Sequence, residues 1–221
     1  MTIQLKAIGI NSLDRFHKSF DAVQYVAVRK SLAEDRRIRA NLLVHPFFCY
    51  QNLKALRSKN FSEPRSQLEL THNPVINYEI WQAEAANSQA SYTAYMNRLG
   101  KHLRATLVPI FIFAAAPDRV NIIKWLDQLH HFTSPIIIVD ALGRDATPSF
   151  DTVMKDKEAW DHLSDIFKDL MIQELEIAGE KAYQVGKQRF GCVYCVADNL
   201  RSRFFSITVK REIIYPNINL P

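Results

Sequence analysis

Two short, continuous runs of β-forming apolar residues constrain the fold of this chain more than any other feature. Residues 107–115 read LVPIFIFAA and residues 135–139 read PIIIV, without the alternation of apolar and polar residues that a half-exposed strand shows. Such runs are typical of strands that are covered on both faces, as in a parallel sheet. Residues 41–50 (NLLVHPFFCY) predict a third buried strand. We expect it to end near His45, because Pro46 cannot donate a hydrogen bond to a sheet.

The segments next to these runs show helical periodicity. Residues 78–104 carry apolar side chains at mostly helical spacing and predict one long helix, for which a break near Gly100 stays open. Residues 118–132 predict a second helix, and residues 149–178 predict a third, with Gly179 as its stop. Because strands alternate with helices, we predict a three-layer α/β fold with a mostly parallel, Rossmann-like sheet and helices on both faces.

Further segments complete the predicted order. Residues 22–29 (AVQYVAVR) alternate and predict a strand, residues 31–39 predict a charged helix or turn, and residues 51–77 predict a long polar loop. Near the end of the chain, residues 181–186 predict a short strand and residues 204–215 (FFSITVKREIIY) an alternating one. An antiparallel placement of this C-terminal strand stays open.

Composition excludes several classes of protein. Of the 221 residues, 48% are hydrophobic and 23% are charged, which is typical of globular proteins and not of disordered ones. The longest apolar run, residues 107–117, is shorter than the roughly 20 residues that cross a bilayer. Three cysteines without a signal peptide favour a reducing compartment. We therefore expect a single cytoplasmic α/β domain over residues 1–221, without membrane contact, that forms a homo-oligomer.

Acidic residues follow two of the predicted strands. Open α/β sheets bind ligands beyond the carboxyl ends of their strands, where Asp118 and Asp140 are expected. Two carboxylates at one edge are suitable ligands for a divalent metal, and Asp140 is in addition a candidate catalytic residue. Asp118 and Asp140 therefore predict a metal-dependent nuclease or phosphohydrolase as one alternative. Otherwise we expect no cofactor.

Basic residues near the C-terminus suggest a second kind of site. The net charge is +5, which permits contact with nucleic acid but does not require it. Basic side chains interleaved with aromatic ones can follow a nucleic-acid strand, and the alternative is a solvated face. The candidate residues, which flank Phe204 and Phe205, are Arg201, Arg203, Lys210 and Arg211.

Two of the three cysteines form a CxxC motif, Cys192-Val193-Tyr194-Cys195. Such a motif is consistent with buried structural cysteines, a nucleophile, a redox pair or half of a zinc site. The secondary structure of residues 192–203 is itself ambiguous. The apolar residues fit one face of a helix, but they fit equally a hairpin that turns at Asp198-Asn199.

Residues 186–209 resemble the cysteine-bearing region of the isochorismatase-like hydrolases, which include nicotinamidases and carbamoylsarcosine amidases. The resemblance rests on Gly186, on the pair Cys192-Val193 that opens a helix, and on the strand at residues 207–209 (ITV). Residues 97–113 resemble the family's first helix and its following V-P-V strand. The resemblance implies an α/β fold with Cys192 as nucleophile. A helix N-terminus favours the thiolate, and its N–H groups are able to hold an oxyanion.

Two positions depart from the family pattern. The family has an aspartate at the end of its first buried strand, where this chain has His45. The family also has a lysine on a later strand, whereas residues 135–139 are followed by Asp140. We therefore expect an isochorismatase-like protein with a degenerate catalytic set, which binds a small molecule or a protein partner, or hydrolyses a small amide through Cys192. Whether the chain is an enzyme stays open. The alternatives are a basic nucleic-acid-associated protein and a structural or assembly subunit without catalysis.

Overall fold

A computed structural model of the chain describes residues 7–9, 38–46, 89–114, 119–129, 134–140, 157–203 and 205–220. The strands are β1 (Ala7–Gly9), β2 (Arg39–Val44), β3 (Ile110–Ala114), β4 (Ile136–Asp140), β5 (Glu174–Val185), β6 (Gln188–Phe190) and β7 (Ser206–Leu220). The helices are α1 (Gln89–Ala105), α2 (Arg119–Leu129), α3 (Lys157–Asp169) and α4 (Cys192–Arg201).

The strands form one sheet in which nearly all neighbours are parallel. The strand order is β1-β4-β3-β2-β5, and β7 pairs in parallel with β5 on the edge opposite to β2. The predicted α/β class with a mostly parallel sheet is therefore confirmed. The last strand is not antiparallel. The antiparallel pairing belongs instead to β6, a three-residue strand that folds back on the end of β5.

Helices cover both faces of the sheet, because successive residues of each buried strand point to opposite sides. Leu42 and Val44 of β2 belong to one core with α3 and α4, whereas Leu43 belongs to a second core with α1 and α2. Both faces of β2 are thus apolar, and for this reason its sequence reads as a continuous hydrophobic run.

The first predicted helix is confirmed over residues 89–105, and it has no break near Gly100. Helix α1 continues through Gly100, where a Cβ atom would lie 2.9 Å from Leu129 Cδ2. Glycine at this position permits α1 to approach α2 closely. Residues 78–88 and the predicted elements at residues 22–29 and 51–77 lie outside the described residues.

The third predicted helix is wrong beyond Asp169. Helix α3 ends there, Met171 turns the chain with a φ of 60°, and β5 begins at Glu174. From Glu174 to Ile177 charged and apolar residues alternate, which is the period of a strand. The predicted strand at residues 181–186 is the second half of this longer strand.

Gly179 lies inside β5 and does not stop a helix. Its φ is 128°, and a Cβ atom there would collide with the main chain of Val44 in β2. The pairing of β5 with β7 shifts between Ile177 and Gly179, which marks a bulge. A bulge of this kind bends a strand and changes the direction of the side chains that follow it.

Candidate active site at the carboxyl edge of the sheet

Cys192 is the first residue of helix α4, which begins directly after the β5–β6 hairpin. The Cys195 N–H donates to the Gly191 carbonyl at 3.0 Å, so residues 192–201 are helical and the hairpin alternative is wrong. Gly191 has a φ of 90°, and a Cβ atom on it would lie 2.5 Å from the Lys181 carbonyl oxygen. Only glycine therefore permits α4 to start against β5.

The thiol of Cys192 is half-buried. The side chain packs against the core that α3 and α4 share with the sheet. The first-turn N–H groups of a helix have no acceptor within the helix, and together they form the positive end of its dipole. A negative charge on the Cys192 sulfur, or on an oxygen bound beside it, is therefore favoured.

Three buried polar residues lie where the pairing of β2 with β5 ends. His45 follows β2, and Glu180 and Lys181 follow the bulge at Gly179; each of the three is at most 2% exposed. His45 and Lys181 both have positive φ values, 50° and 65°, which L-residues with side chains rarely adopt. Strained backbone of this kind persists where the surrounding structure fixes it, and it clusters at functional sites.

One member of this group has a strongly shifted pKa, and another accepts a hydrogen bond from α1. Burial, together with a smaller effect of the charge of Lys181, lowers the pKa of His45 from 6.5 to about 3. His45 is therefore neutral at neutral pH. The Glu180 carboxylate accepts a hydrogen bond of 3.2 Å from the Tyr92 hydroxyl of α1, so it faces the α1 side of the sheet.

Tyr92, the donor to Glu180, belongs to a cluster of tyrosine rings. Tyr92, Tyr95 and Tyr215 form a cluster with ring-centroid distances of 5.2 to 5.7 Å. Tyr92 and Tyr215 meet edge to face, an arrangement that aromatic quadrupoles favour. The cluster fixes Tyr92 and with it the donor to Glu180.

The sequence did not reveal Glu180 and Lys181 as site residues, because charged residues in a strand are ordinarily placed on its exposed face. The one available signal was the position of the pair directly after Gly179 in the run ELEIAGEKAYQV, which is otherwise strand-like. A glycine inside a strand often marks a bulge or the close approach of another backbone.

Asp140, the predicted catalytic and metal-binding residue, is the last residue of β4 and pairs with Ala114 and Gly9. Strand β4 lies three positions from β5 in the sheet, which is about 14 Å at the usual strand spacing. The fold therefore does not bring the Asp140 main chain next to β5. Asp118 lies outside the described residues. Among the residues that the structure describes, no group of three or more His, Cys, Asp or Glu side chains is arranged to hold a metal ion. The metal site stays a prediction.

The four predicted nucleic-acid-binding residues each contact an acidic or amide side chain. They lie in two separate places, at the end of α4 and in the middle of β7. The contacts are Arg201 with Asp198 at 2.8 Å, Arg203 with Asp161 at 2.8 Å, Lys210 with Glu176 at 3.2 Å, and Arg211 with Gln184 at 2.9 Å. Three of the four positive charges are therefore compensated locally, and nucleic-acid binding stays a prediction.

A polar cleft, which the sequence did not indicate, lies at the opposite, amino edge of the sheet. It has a volume of about 200 Å³ and is lined in part by Arg39, Asn41, His102 and Glu176. The Asn41 side-chain amide lies 3.2 Å from His102 Nε2. The pKa of His102 is lowered, mainly by burial; the charge of Glu176 opposes this shift.

Comparison of the chain with models of protein families, with curated proteins and with solved structures found no match. The resemblance to the isochorismatase-like hydrolases is therefore untested by these comparisons. Within the described ranges, no helix is both long enough and apolar enough to cross a membrane.

Proposed function

We propose that the chain is a thiol-dependent hydrolase of small amides, with Cys192 as its nucleophile. The observation that carries this proposal is the position of Cys192 as the first, half-exposed residue of α4, directly after Gly191, which lies against Lys181 of β5. Parallel α/β sheets bind their ligands at this edge. The resemblance to the isochorismatase-like hydrolases independently favours the same residue.

The proposed reaction uses the helix N-terminus twice. The Cys192 thiolate attacks the amide carbonyl, a carbon–sulfur bond forms, and the N–H groups of the first turn of α4 stabilise the oxyanion. The carbon–nitrogen bond then breaks, and the amine leaves with the proton that the thiol gave up. Water hydrolyses the thioester to release the acid and restore the thiol.

Lys181 is the proposed electrostatic partner of this step. Its main-chain carbonyl lies close to Gly191, the residue before α4, and its charge acts on His45, the residue after β2. A cation near the helix N-terminus favours a thiolate. In this interpretation Lys181 of β5 supplies the positive charge that the family carries on a different strand.

The first experiment measures ammonia release from a panel of small primary amides by the full chain and by two matched variants, Cys192→Ala and Cys195→Ala. Both cysteines are half-buried in the same helix, so the substitutions make similar demands on folding. We expect Cys192→Ala to abolish turnover and Cys195→Ala to retain it. Equal activity of the two variants would overturn the proposal.

The second experiment needs no substrate. We expect iodoacetamide to alkylate Cys192 at half its maximal rate at a lower pH than Cys195, because Cys192 is the first residue of α4 and lies nearer the positive end of the helix dipole. Peptide mapping by mass spectrometry follows each cysteine separately.

If no amide is turned over and the chain instead binds RNA or DNA with a steep salt dependence that Cys192→Ala leaves intact, the nucleic-acid alternative is favoured.

A further inference from the structure

The two thiols of the CxxC motif lie in the first turn of one helix. Because α4 begins at Cys192, the motif occupies positions i and i+3 on neighbouring parts of the helix surface. In an α-helix this spacing separates the two Cα atoms by about 5 Å. Disulfides ordinarily span Cα separations of about 4.4–6.8 Å, so the backbone does not need to move for a bond to form.

The surroundings of the two thiols differ. Cys192 lies at the helix N-terminus, whereas Cys195 contacts Asn199 one turn further along. The Asn199 side-chain amide donates to the Cys195 carbonyl at 3.0 Å and approaches the Cys195 sulfur at 3.8 Å. An N–H donor directed at sulfur stabilises negative charge on it. Each thiolate therefore has its own source of stabilisation.

We propose that Cys192 and Cys195 form a reversible disulfide in response to a hydroperoxide. This modification site goes beyond the proposed hydrolase and does not depend on it, since it requires only the two thiols. Both are half-buried, so a small peroxide reaches them while bulk solvent is partly excluded. Cys192 is the sulfur that reacts first, and Cys195 is the resolving one.

The reaction balances in two steps. The Cys192 thiolate attacks one peroxide oxygen; a sulfur–oxygen bond forms, the oxygen–oxygen bond breaks, and the released alkoxide or hydroxide takes up a proton. The Cys195 thiolate then attacks the Cys192 sulfur; the sulfur–sulfur bond forms, the sulfur–oxygen bond breaks, and hydroxide leaves and is protonated to water. Two electrons pass from the thiols to the peroxide.

The test treats the full chain with hydrogen peroxide and maps its peptides without reduction. We expect one disulfide between Cys192 and Cys195, which dithiothreitol removes. In Cys195→Ser, Cys192 accumulates as a sulfenic acid that dimedone traps, and in Cys192→Ser the rate of oxidation at Cys195 falls at least tenfold. A disulfide that contains Cys49, or overoxidation of Cys192 in the wild-type chain without any disulfide, overturns the proposal.

Asn199→Ala tests the role of the donor. We expect the second step to slow by about fivefold, the ratio that one ordinary hydrogen bond supports. Ser202→Ala is the matched control, because the Ser202 hydroxyl is exposed and donates to the Asn199 carbonyl, not to a sulfur. Equilibration of the wild-type chain in dithiothreitol redox buffers needs no variant. If the two thiols of the wild-type chain stay reduced in oxidising buffer, the proposed disulfide is refuted, whether or not the chain hydrolyses amides.

Discussion

His45 is expected to make the stability of the fold strongly dependent on pH below neutrality. The side chain is buried beyond the end of β2, and its pKa in the folded chain is about 3, against 6.5 when exposed. Since the folded-state pKa is the lower one, the unfolded chain takes up the proton first as the pH falls. The contribution of His45 is therefore fully present above pH 6.5 and is lost progressively between pH 6.5 and 3.

The magnitude follows from the two pKa values. Each pH unit inside this window costs about 1.4 kcal/mol, since the unfolded chain binds one proton that the folded chain does not bind. Between pH 7 and pH 5 the loss amounts to about 2 kcal/mol, because the first part of that interval lies above the unfolded pKa. This is a large share of a domain's usual stability of about 5–15 kcal/mol.

Urea denaturation at pH 7 and pH 5 measures the effect in the wild-type chain and in His45→Gln, which does not titrate. We expect the free energy of unfolding to fall by about 2 kcal/mol more in the wild type than in the variant. Other titrating groups, such as His102, cancel in this difference. Lys181→Met is the control for the cause: most of the pH dependence should survive in it, because burial is the larger contribution. Equal pH dependence in wild type and His45→Gln would refute the reasoning, and loss of the effect in Lys181→Met would assign it to charge and not to burial.

Three further substitutions test the packing of the fold by urea denaturation at neutral pH. Gly179→Ala should prevent folding, because its Cβ has no space beside β2, whereas Gly186→Ala, also at positive φ but with open space around it, should cost only about 1 kcal/mol; similar losses would contradict the close approach. Phe167→Ala should cost about 3–5 kcal/mol, because the ring is fully buried in the core shared by α3 and α4, and a loss below about 1 kcal/mol would mean that this core is not packed as described. Arg201→Gln should cost less than about 1 kcal/mol, because its ion pair with Asp198 is exposed to solvent, and a larger loss would show an additional role for the guanidinium.

The sequence predicted correctly those elements in which the burial of the side chains and the period of the apolar residues indicate the same secondary structure. Strands β3 and β4 are covered on both faces, so their apolar runs have a single interpretation. Helix α2 has one apolar stripe, with Ile122 and Leu126 buried and Lys124 exposed, which only a helical period explains. In these elements local pattern and tertiary environment favour the same structure.

The errors have a different physical origin in each case. The sequence predicts a helix for residues 174–178 of β5 because Leu170 and Leu175 extend the apolar stripe of α3 by coincidence, and because a glycine after a helical pattern ordinarily ends it. The bulge at Gly179 depends on the backbone of β2, which lies 135 positions earlier, at Val44. Local sequence does not record such a contact. For residues 192–203 both periods fit, and only the packing of α4 on β5 selects the helix.

The candidate site depends on the close approach of main chains, which local sequence does not reveal. Two glycines, Gly179 and Gly191, permit β2, β5 and the start of α4 to approach more closely than side chains would allow. The positive φ values of His45 and Lys181 lie at the same edge, and each costs conformational free energy that a purely structural edge does not require. Close backbone approach, strain and buried polar groups thus coincide at this edge of the sheet. Strain and buried polar groups each reduce stability, so their coincidence is consistent with the functional role that we propose for the edge at which α4 begins.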